Sequence, residues 1–265
     1  MPELLASMDL LHLGFLVGTG VVAGIISTIV GGSAVVIFPA LLASGVPPQL
    51  TAVCALAAIS PAAMLGAFAD RSQLPPFNRD FVGLIVAAII GAAVGASLLL
   101  LTPERMFAQI MPLLLAFATL LFAFAGRISG YLRARAVGRG REAKLRVANL
   151  RVLLPVSFYS GYFGAGAGIL MLGAFSLATN GDYRSANVAK NFVAGLNGLT
   201  ATVIFATHNA VLWPQTLTLM VGTIGGGLIG TNVARLVPPR IVRTTVVLVG
   251  LALTVAMAQR YWFGA

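Results

Sequence analysis

The chain has 265 residues, of which 58% are hydrophobic and 9% are charged, and its formal net charge is +10. A typical soluble domain has about 25% charged residues, so this composition excludes an ordinary soluble protein and indicates a membrane protein. Nearly half of the 17 basic residues lie between Arg127 and Arg151. Such a cluster is typical of a cytoplasmic juxtamembrane loop, and its confinement to one linker argues against nucleic-acid binding.

Apolar stretches separated by turn residues predict an all-α polytopic membrane protein. The eight hydrophobic segments lie at about residues 11–43, 49–69, 81–101, 106–125, 152–178, 185–207, 214–235 and 241–258. A membrane-spanning helix needs about 20 residues, which each segment provides. The beginning of the chain has Glu3 and Asp9 but no Lys or Arg, so it lacks the positive region of a signal peptide. The first segment is therefore expected to stay in the mature protein.

The first segment is interrupted by two adjacent glycines, Gly31 and Gly32, which Ser33 follows. Glycine lets a helix unwind, and irregular backbone at membrane depth persists only where it is buried in protein or lines a wet cavity. This pattern predicts two half-helices beside a binding site. Close packing of small residues between ordinary helices is the alternative.

A basic stretch after the fourth segment divides the chain into two halves. We assign three parts to the chain: an N-terminal membrane repeat (1–126), a basic cytoplasmic linker (127–149) and a C-terminal membrane repeat (150–265). Matching residues indicate that the second half repeats the first. The matched pairs are Gly91 with Gly226, Gly95 with Gly230, Pro103 with Pro238, and Gly32 with Gly166. Internal repeats are typical of transporters, in which the substrate site lies where the repeats meet.

The charges of the later loops favour an inverted relation between the two repeats. The turn around Arg240 is basic and is expected in the cytoplasm, whereas the turn at 207–213 has no Lys or Arg. Eight simple crossings contradict these placements. The conflict disappears if the glycine-broken first segment of each repeat is a re-entrant hairpin, which leaves three crossings per repeat and both chain ends outside. Ordinary tilted helices in parallel repeats are the alternative.

The fifth segment carries a second glycine cluster, formed by Gly164, Gly166 and Gly168. It recurs in register with the cluster of the first segment, so we interpret both as breaks whose backbone N–H groups can bind an anion. No Lys-Ser or Lys-Thr follows either cluster, as a nucleotide-binding loop requires. Tyr162 precedes the second cluster and is expected at its entrance, with core packing as the alternative.

The sixth segment places polar residues in an apolar helix. They are Asn187, Lys190, Asn191 and Asn197, and the matching residues of the first repeat are Val53, Leu56, Ala57 and Ala63. Because the first repeat is apolar here, the fold does not require these polar groups, and we predict a substrate-binding site. A charge facing lipid costs about 2.5–3.5 kcal/mol. The alternatives for Lys190 are snorkelling to the cytoplasmic surface or pairing with Asp182.

Enzymatic and metal-dependent functions are poorly supported. All seven acidic residues lie at or near predicted segment ends, and His12, His208 and Cys54 are isolated from one another. We therefore predict no catalytic residue, no cofactor and no metal site. The expected partners are a small anionic substrate and the lipid bilayer of the cell (inner) membrane, without nucleic acid, and the sequence leaves a homo-oligomer open.

Three stretches carry a more specific pattern. They read "GVVAGIISTIVGGSAVVIFPALLASGVPP" (20–48), "GYFGAGAGILML" (161–172) and "ANVAKNFVAGLNGLTATVIF" (186–205). Together they resemble the sulfite exporter TauE/SafE family of membrane permeases over nearly the whole chain. Asn187, Lys190 and Asn191 match the Asn-x-x-Lys-Asn motif of one branch of this family. The stretch Cys54-Ala55-Leu56 departs from the Gly-Thr-Ser that many members have.

The resemblance implies transport of small anions, such as sulfite, sulfonates including sulfoacetate, or related organic anions. A cell that is negative inside favours anion export by about 2.3 kcal/mol per charge per 100 mV, so a coupling ion is not required. The alternative function is a membrane scaffold or assembly factor without transport activity, in which the polar helix packs against a partner protein. Substrate flux in proteoliposomes distinguishes the two.

Overall fold

The computed structural model describes residues 10–29, 33–137, 150–179, 182–233 and 239–263, which form ten α-helices and one 3-10 turn. The helices are α1 (Leu10–Ile29), α2 (Ala34–Ala43), α3 (Pro48–Ala69), α4 (Arg79–Leu101), α5 (Glu104–Val137), α6 (Leu150–Tyr162), α7 (Ala167–Ala178), α8 (Tyr183–Thr207), α9 (Trp213–Val233) and α10 (Pro239–Trp262). The described residues contain no strand. Helices α3, α4, α5, α8 and α10 are long and apolar enough to cross a membrane. The protein is therefore an all-helical multi-pass membrane protein.

Six of the predicted segments are single helices, whereas the first and the fifth are each divided into two. Helix α1 ends at Ile29 and α2 begins at Ala34. Helix α6 ends at Tyr162 and α7 begins at Ala167, so residues 163–166 separate them. Helix α5 continues to Val137, well beyond the predicted end near residue 125. The extension is rich in Arg and Ala, which are strong helix formers. The first part of the predicted linker is therefore helical.

Local sequence signals explain where several helices begin and end. The side chain of Asn78 accepts a hydrogen bond from the backbone N–H of Phe81 at 2.9 Å and caps α4. Pro48 occupies the first turn of α3, where its missing N–H costs nothing. Gly45 ends α2 with a φ of +76°, a left-handed conformation that glycine adopts without strain.

Helix α1 of the first half packs against α9 of the second half through glycines. A Cβ at Gly20 would lie 2.5 Å from the carbonyl oxygen of Leu219, and a Cβ at Gly24 would lie 2.7 Å from the backbone nitrogen of Gly227. The residue numbers of the contacting residues increase in the same direction along both helices, so α1 and α9 run parallel. Glycines that let two backbones approach this closely are typical of membrane helix interfaces.

Helices α4 and α6 repeat this arrangement with the halves exchanged. A Cβ at Gly91 would lie 2.7 Å from the carbonyl oxygen of Leu154, and a Cβ at Gly95 would lie 2.8 Å from the backbone nitrogen of Tyr162. These helices also run parallel. Each broken segment is therefore held by a helix of the other half.

Helices α3 and α8 occupy the centre and run antiparallel. Arg184 at the beginning of α8 bonds to Asp70, which follows the end of α3. Farther along α8, a Cβ at Gly198 would lie 2.6 Å from the Cβ of Ser60, near the middle of α3. The two helices thus bring the polar face of the second half against the first half.

Candidate functional site

A cavity lined partly by polar side chains lies between the two broken segments and the helices α3 and α8. Its volume is about 70 Å³. A water molecule needs roughly 10–15 Å³, so the cavity accommodates several waters or one small solute. Its polar lining comprises Ser27, Ser33, Ser60, Ser160, Lys190 and Asn191. All of these side chains can donate hydrogen bonds, as an anion requires.

The break between α6 and α7 forms one wall of the cavity. Gly164 and Gly166 have φ values of +78° and +81°, which glycine adopts without the strain that other residues incur. The Tyr159 hydroxyl donates a hydrogen bond of 2.6 Å to the carbonyl oxygen of Ala165 and holds the irregular backbone. The ring of Phe163 meets Phe38 of α2 edge to face, with centroids 5.1 Å apart. This contact joins the two broken segments.

Lys190 lies about two turns inside α8, and its side chain is 6% exposed and lines the cavity. The described residues provide it with no carboxylate partner. Asp182, the alternative partner considered from the sequence, caps α8 and accepts hydrogen bonds from the backbone N–H groups of Arg184 and Ser185. A buried ammonium without a partner is unfavourable by several kcal/mol. The site therefore presents an uncompensated positive charge to a cavity rich in hydrogen-bond donors.

A second pocket, which we call the vestibule, lies between α1, α3, α8 and α9. Its volume is about 350 Å³. Its lining includes Ser27, Leu65, Gly66, Asp70, Asn187 and Asn191. The side-chain oxygen of Asn187 is buried and has no hydrogen-bond partner among the described residues. An unsatisfied buried acceptor costs about 1–3 kcal/mol, and the side-chain oxygen of Asn197 is buried without a partner among the described residues as well.

The structure brings some of the predicted site residues together and separates others. Ser33, Gly164, Gly166, Gly168, Lys190 and Asn191 line the cavity, and Asn187 lines the vestibule. Gly31 and Gly32 lie outside the described residues.

Asn197 and Tyr162 do not line the cavity. Asn197 lies ~10 Å farther along α8 than Lys190, at 1.5 Å per residue. It is fully buried, and its Nδ2 donates to the Ser157 hydroxyl on α6 at 3.2 Å. The Tyr162 ring stacks on Phe158, and its hydroxyl lies 3.4 Å from that of Thr102. Both side chains therefore connect helices rather than line the cavity, although their neighbours Gly198 and Phe163 do line it.

Sequence reasoning missed Ser160 and Leu56 as cavity residues. Ser160 stands one turn before the second break, as Ser27 stands before the first, and this symmetry was a usable signal. Leu56 is the residue of the first repeat that matches Lys190, and it lies opposite the second break, where a Cβ at Gly164 would be 2.5 Å from its Cδ2. The cavity thus has one charged side and one apolar side.

Hydrogen bonds between side chains connect the end of α3 to the beginning of α8, where the vestibule reaches Asp70. The Arg184 guanidinium donates two hydrogen bonds to the Asp70 carboxylate, at 2.6 and 2.8 Å. These hydrogen bonds lower the pKa of the Asp70 carboxyl below its usual value. The Ser185 hydroxyl also donates to the side-chain oxygen of Gln73 at 3.0 Å. In the part of the chain that the structure describes, no three metal-ligand side chains come together.

A multi-pass helical bundle whose two halves line a shared cavity is typical of membrane transporters. The family model of the sulfite exporter TauE/SafE matches residues 16–257, so the chain belongs to this family.

Relatives in several bacteria carry transporter names. The chain is 26% identical to a "probable membrane transporter protein" of a Sinorhizobium species, over 95% of this chain and 97% of that one. It is 27% identical to one of Haemophilus influenzae, over 97% and 98% of the two chains. It is 23% identical to YfcA of Escherichia coli, also named a probable membrane transporter protein, over 92% and 88%. No solved structure matches the chain.

Proposed function

We propose that the protein is a permease for small anions, which binds its substrate in the cavity beside Lys190. One observation carries this proposal: a lysine 6% exposed faces a polar cavity and has no carboxylate partner among the described residues. A bound anion supplies the missing charge. The amide of Asn191 and the surrounding serine hydroxyls supply hydrogen bonds to its oxygens.

The direction of the helices supports an inverted relation between the two repeats. Helices α3 and α8 are the second elements of their repeats and run antiparallel, as Asp70 with Arg184 and Ser60 with Gly198 indicate. An axis in the membrane plane requires equivalent helices to be antiparallel, whereas an axis along the membrane normal requires them to be parallel. In one pair, the first helix of the N-terminal repeat (α1) packs on the third element of the C-terminal repeat (α9). In the other pair, α6 packs on α4 with the repeats exchanged, as the same two-fold axis requires.

The same contacts support re-entrant first segments. Helix α1 is parallel to α9, so it begins on the side of the membrane where the α8–α9 loop lies. Helix α2 leads into α3, and α3 begins on that same side because it runs antiparallel to α8. Helix α6 is parallel to α4, and α7 leads into α8, which begins beside the end of α3. Each broken segment then returns to the side from which it started. Two breaks that enter from opposite sides meet at the cavity.

The size and chemistry of the cavity favour a small oxyanion. A volume of about 70 Å³ suits a solute of a few non-hydrogen atoms, with sulfite and the shortest sulfonates as the first candidates. The family description, sulfite exporter, agrees with this class. A membrane potential that is negative inside drives such an anion outward without a coupling ion.

Flux through proteoliposomes tests the proposal. The purified protein is expected to carry radiolabelled sulfite or a short sulfonate across the bilayer, down an imposed potential, well above protein-free vesicles. Lys190→Met should abolish this flux while the protein stays folded and inserted, because the substitution removes the charge and keeps the length of the side chain. A wild-type protein without flux of any small anion would support the scaffold function instead. Undiminished flux through Lys190→Met would exclude the proposed role of the lysine.

A further inference from the structure

The cavity and the vestibule lie next to each other and share part of their lining. Ser27, Ala63 and Asn191 line both of them. The vestibule continues from these residues past Leu65 to Asp70, which is partly exposed at the surface. A solute that leaves the cavity toward the vestibule must therefore pass the side chain of Asn191.

Asn191 packs against Gly66 at the junction of the cavity and the vestibule. A Cβ at Gly66 would lie 3.3 Å from the side-chain nitrogen of Asn191, closer than ordinary carbon contacts. With glycine at this position, the carboxamide has room to lie against α3. A methyl group at this position would require the carboxamide to shift by a few tenths of an ångström.

The outer end of the vestibule belongs to the cytoplasmic side. Asp70 precedes α4, and two membrane-spanning helices, α4 and α5, separate it from the basic stretch that follows Arg127. Two crossings return the chain to the same side. Since Lys- and Arg-rich loops stay in the cytoplasm, the vestibule faces the cytoplasm as well.

We propose that the vestibule is the cytoplasmic entrance to the Lys190 cavity and that Asn191, packed against Gly66, forms the polar constriction between them. This inference rests on the proposed anion permease. The carboxamide offers N–H donors to an anion that has left water and has not yet reached the ammonium. Asn191 thus contacts the anion during entry and at the edge of the cavity, whereas Lys190 supplies the charge inside it.

Thiol labelling tests the passage without reference to transport. The single cysteine, Cys54, is buried, so Cys54→Ala provides a background without reactive thiols. In inverted vesicles, iodoacetate, a small anionic alkylating reagent, should label Leu65→Cys in the vestibule quickly and Ser60→Cys in the cavity slowly. Adding Gly66→Ala should slow the labelling of Ser60→Cys at least tenfold and leave that of Leu65→Cys unchanged. Gly225→Ala is the matched control, since a Cβ there meets no described atom within 4 Å.

Two labelling results would overturn the inference. One is that iodoacetate labels Leu65→Cys only from the side of the membrane opposite the cytoplasm. The other is that Gly66→Ala slows the labelling of Leu65→Cys and Ser60→Cys equally, or slows neither. If wild-type protein carries no anion, the permease proposal fails, and the labelling result still decides whether the passage exists.

Transport by a double variant tests the role of Asn191 itself. Gly66→Ala should lower the flux at low anion concentration about tenfold and raise the half-saturating concentration, because entry is slowed. Asn191→Ala removes the group that the new methyl displaces, so Gly66→Ala should cause no further loss in that background. A loss of equal size in both backgrounds would show that Gly66 acts through packing alone and would overturn the constriction.

Discussion

Lys190 places a positive charge in the interior of the helical bundle, and its cost to the folded protein can be measured. We expect Lys190→Met to raise the free energy of unfolding by about 1–3 kcal/mol, because methionine removes a buried charge and fills similar volume. Thermal denaturation in detergent measures this change. A matched Lys190→Arg variant keeps the charge but alters donor geometry, so it should retain partial anion binding.

Ligand-dependent stability separates a binding role from a structural one. A bound anion at 100 times its dissociation constant stabilises the folded state by about 2.7 kcal/mol. Sulfite should therefore raise the melting temperature of the wild type and leave that of Lys190→Met unchanged. An equal shift in both proteins would mean that the anion binds elsewhere.

The second break depends on the backbone freedom of two glycines, Gly164 and Gly166, and the test uses Gly166. Its φ of +81° is left-handed, so Gly166→Ala should cost about 1–2 kcal/mol of stability. Gly18→Ala is the control, since a Cβ at Gly18 meets no described atom within 4 Å. In a helix this substitution is neutral or stabilising by up to about 1 kcal/mol. Chemical denaturation of both variants tests the difference, and equal stability would remove the special role of the break.

At the scale of elements, glycines set the distance between α4 and α6. A Cβ at Gly95 would overlap the carbonyl oxygen of Phe158 and lie 2.8 Å from the backbone nitrogen of Tyr162, so the helices would have to separate. We expect Gly95→Ala to destabilise the protein by about 1–3 kcal/mol through overpacking. It should also lower anion flux, because α6 carries the break that lines the cavity.

The matched control for this interface is Gly14→Ala, because a Cβ at Gly14 has no described neighbour within 4 Å. Resistance to thermal unfolding and flux are measured for both variants. If Gly95→Ala is as stable and active as Gly14→Ala, close approach of α4 and α6 is not needed to hold the second break.

At the scale of the whole molecule, the orientation of loops distinguishes the inverted arrangement from eight simple crossings. A reporter inserted after Asn209, in the loop between α8 and α9, should be found outside the cytoplasm, and one near Arg139 should be cytoplasmic. Eight crossings would put both on the same side, because two crossings separate them. A reporter after Ala265 should also be outside, since two further helices follow Asn209. Phosphatase and fluorescent-protein fusions measure these positions.

Much of the helical architecture could be predicted because apolar length and turn residues are local properties. Pro48, Asn78 and Gly45 mark helix ends in the sequence and in the structure. Breaks in the first and fifth segments were predicted from glycine clusters. The structure confirms that α6 and α7 are separate helices, whereas Gly31 and Gly32 lie outside the described residues. The length of α5 was underestimated, since the basic residues that ended the apolar run do not end a helix.

The candidate site was less accessible to prediction, because distances between helices are not local. The sequence alone determined that Lys190, Asn187 and Asn191 are polar groups in an apolar helix and that each half contains a glycine break. Only the tertiary structure decided that Lys190 and Asn191 line one cavity with both broken segments, while Asn197 bonds to Ser157 instead. The physical reason is that a helix apolar on all sides does not reveal which face meets lipid and which meets protein. The antiparallel contact of α3 with α8, made possible by glycines such as Gly198, selects the face that encloses the cavity.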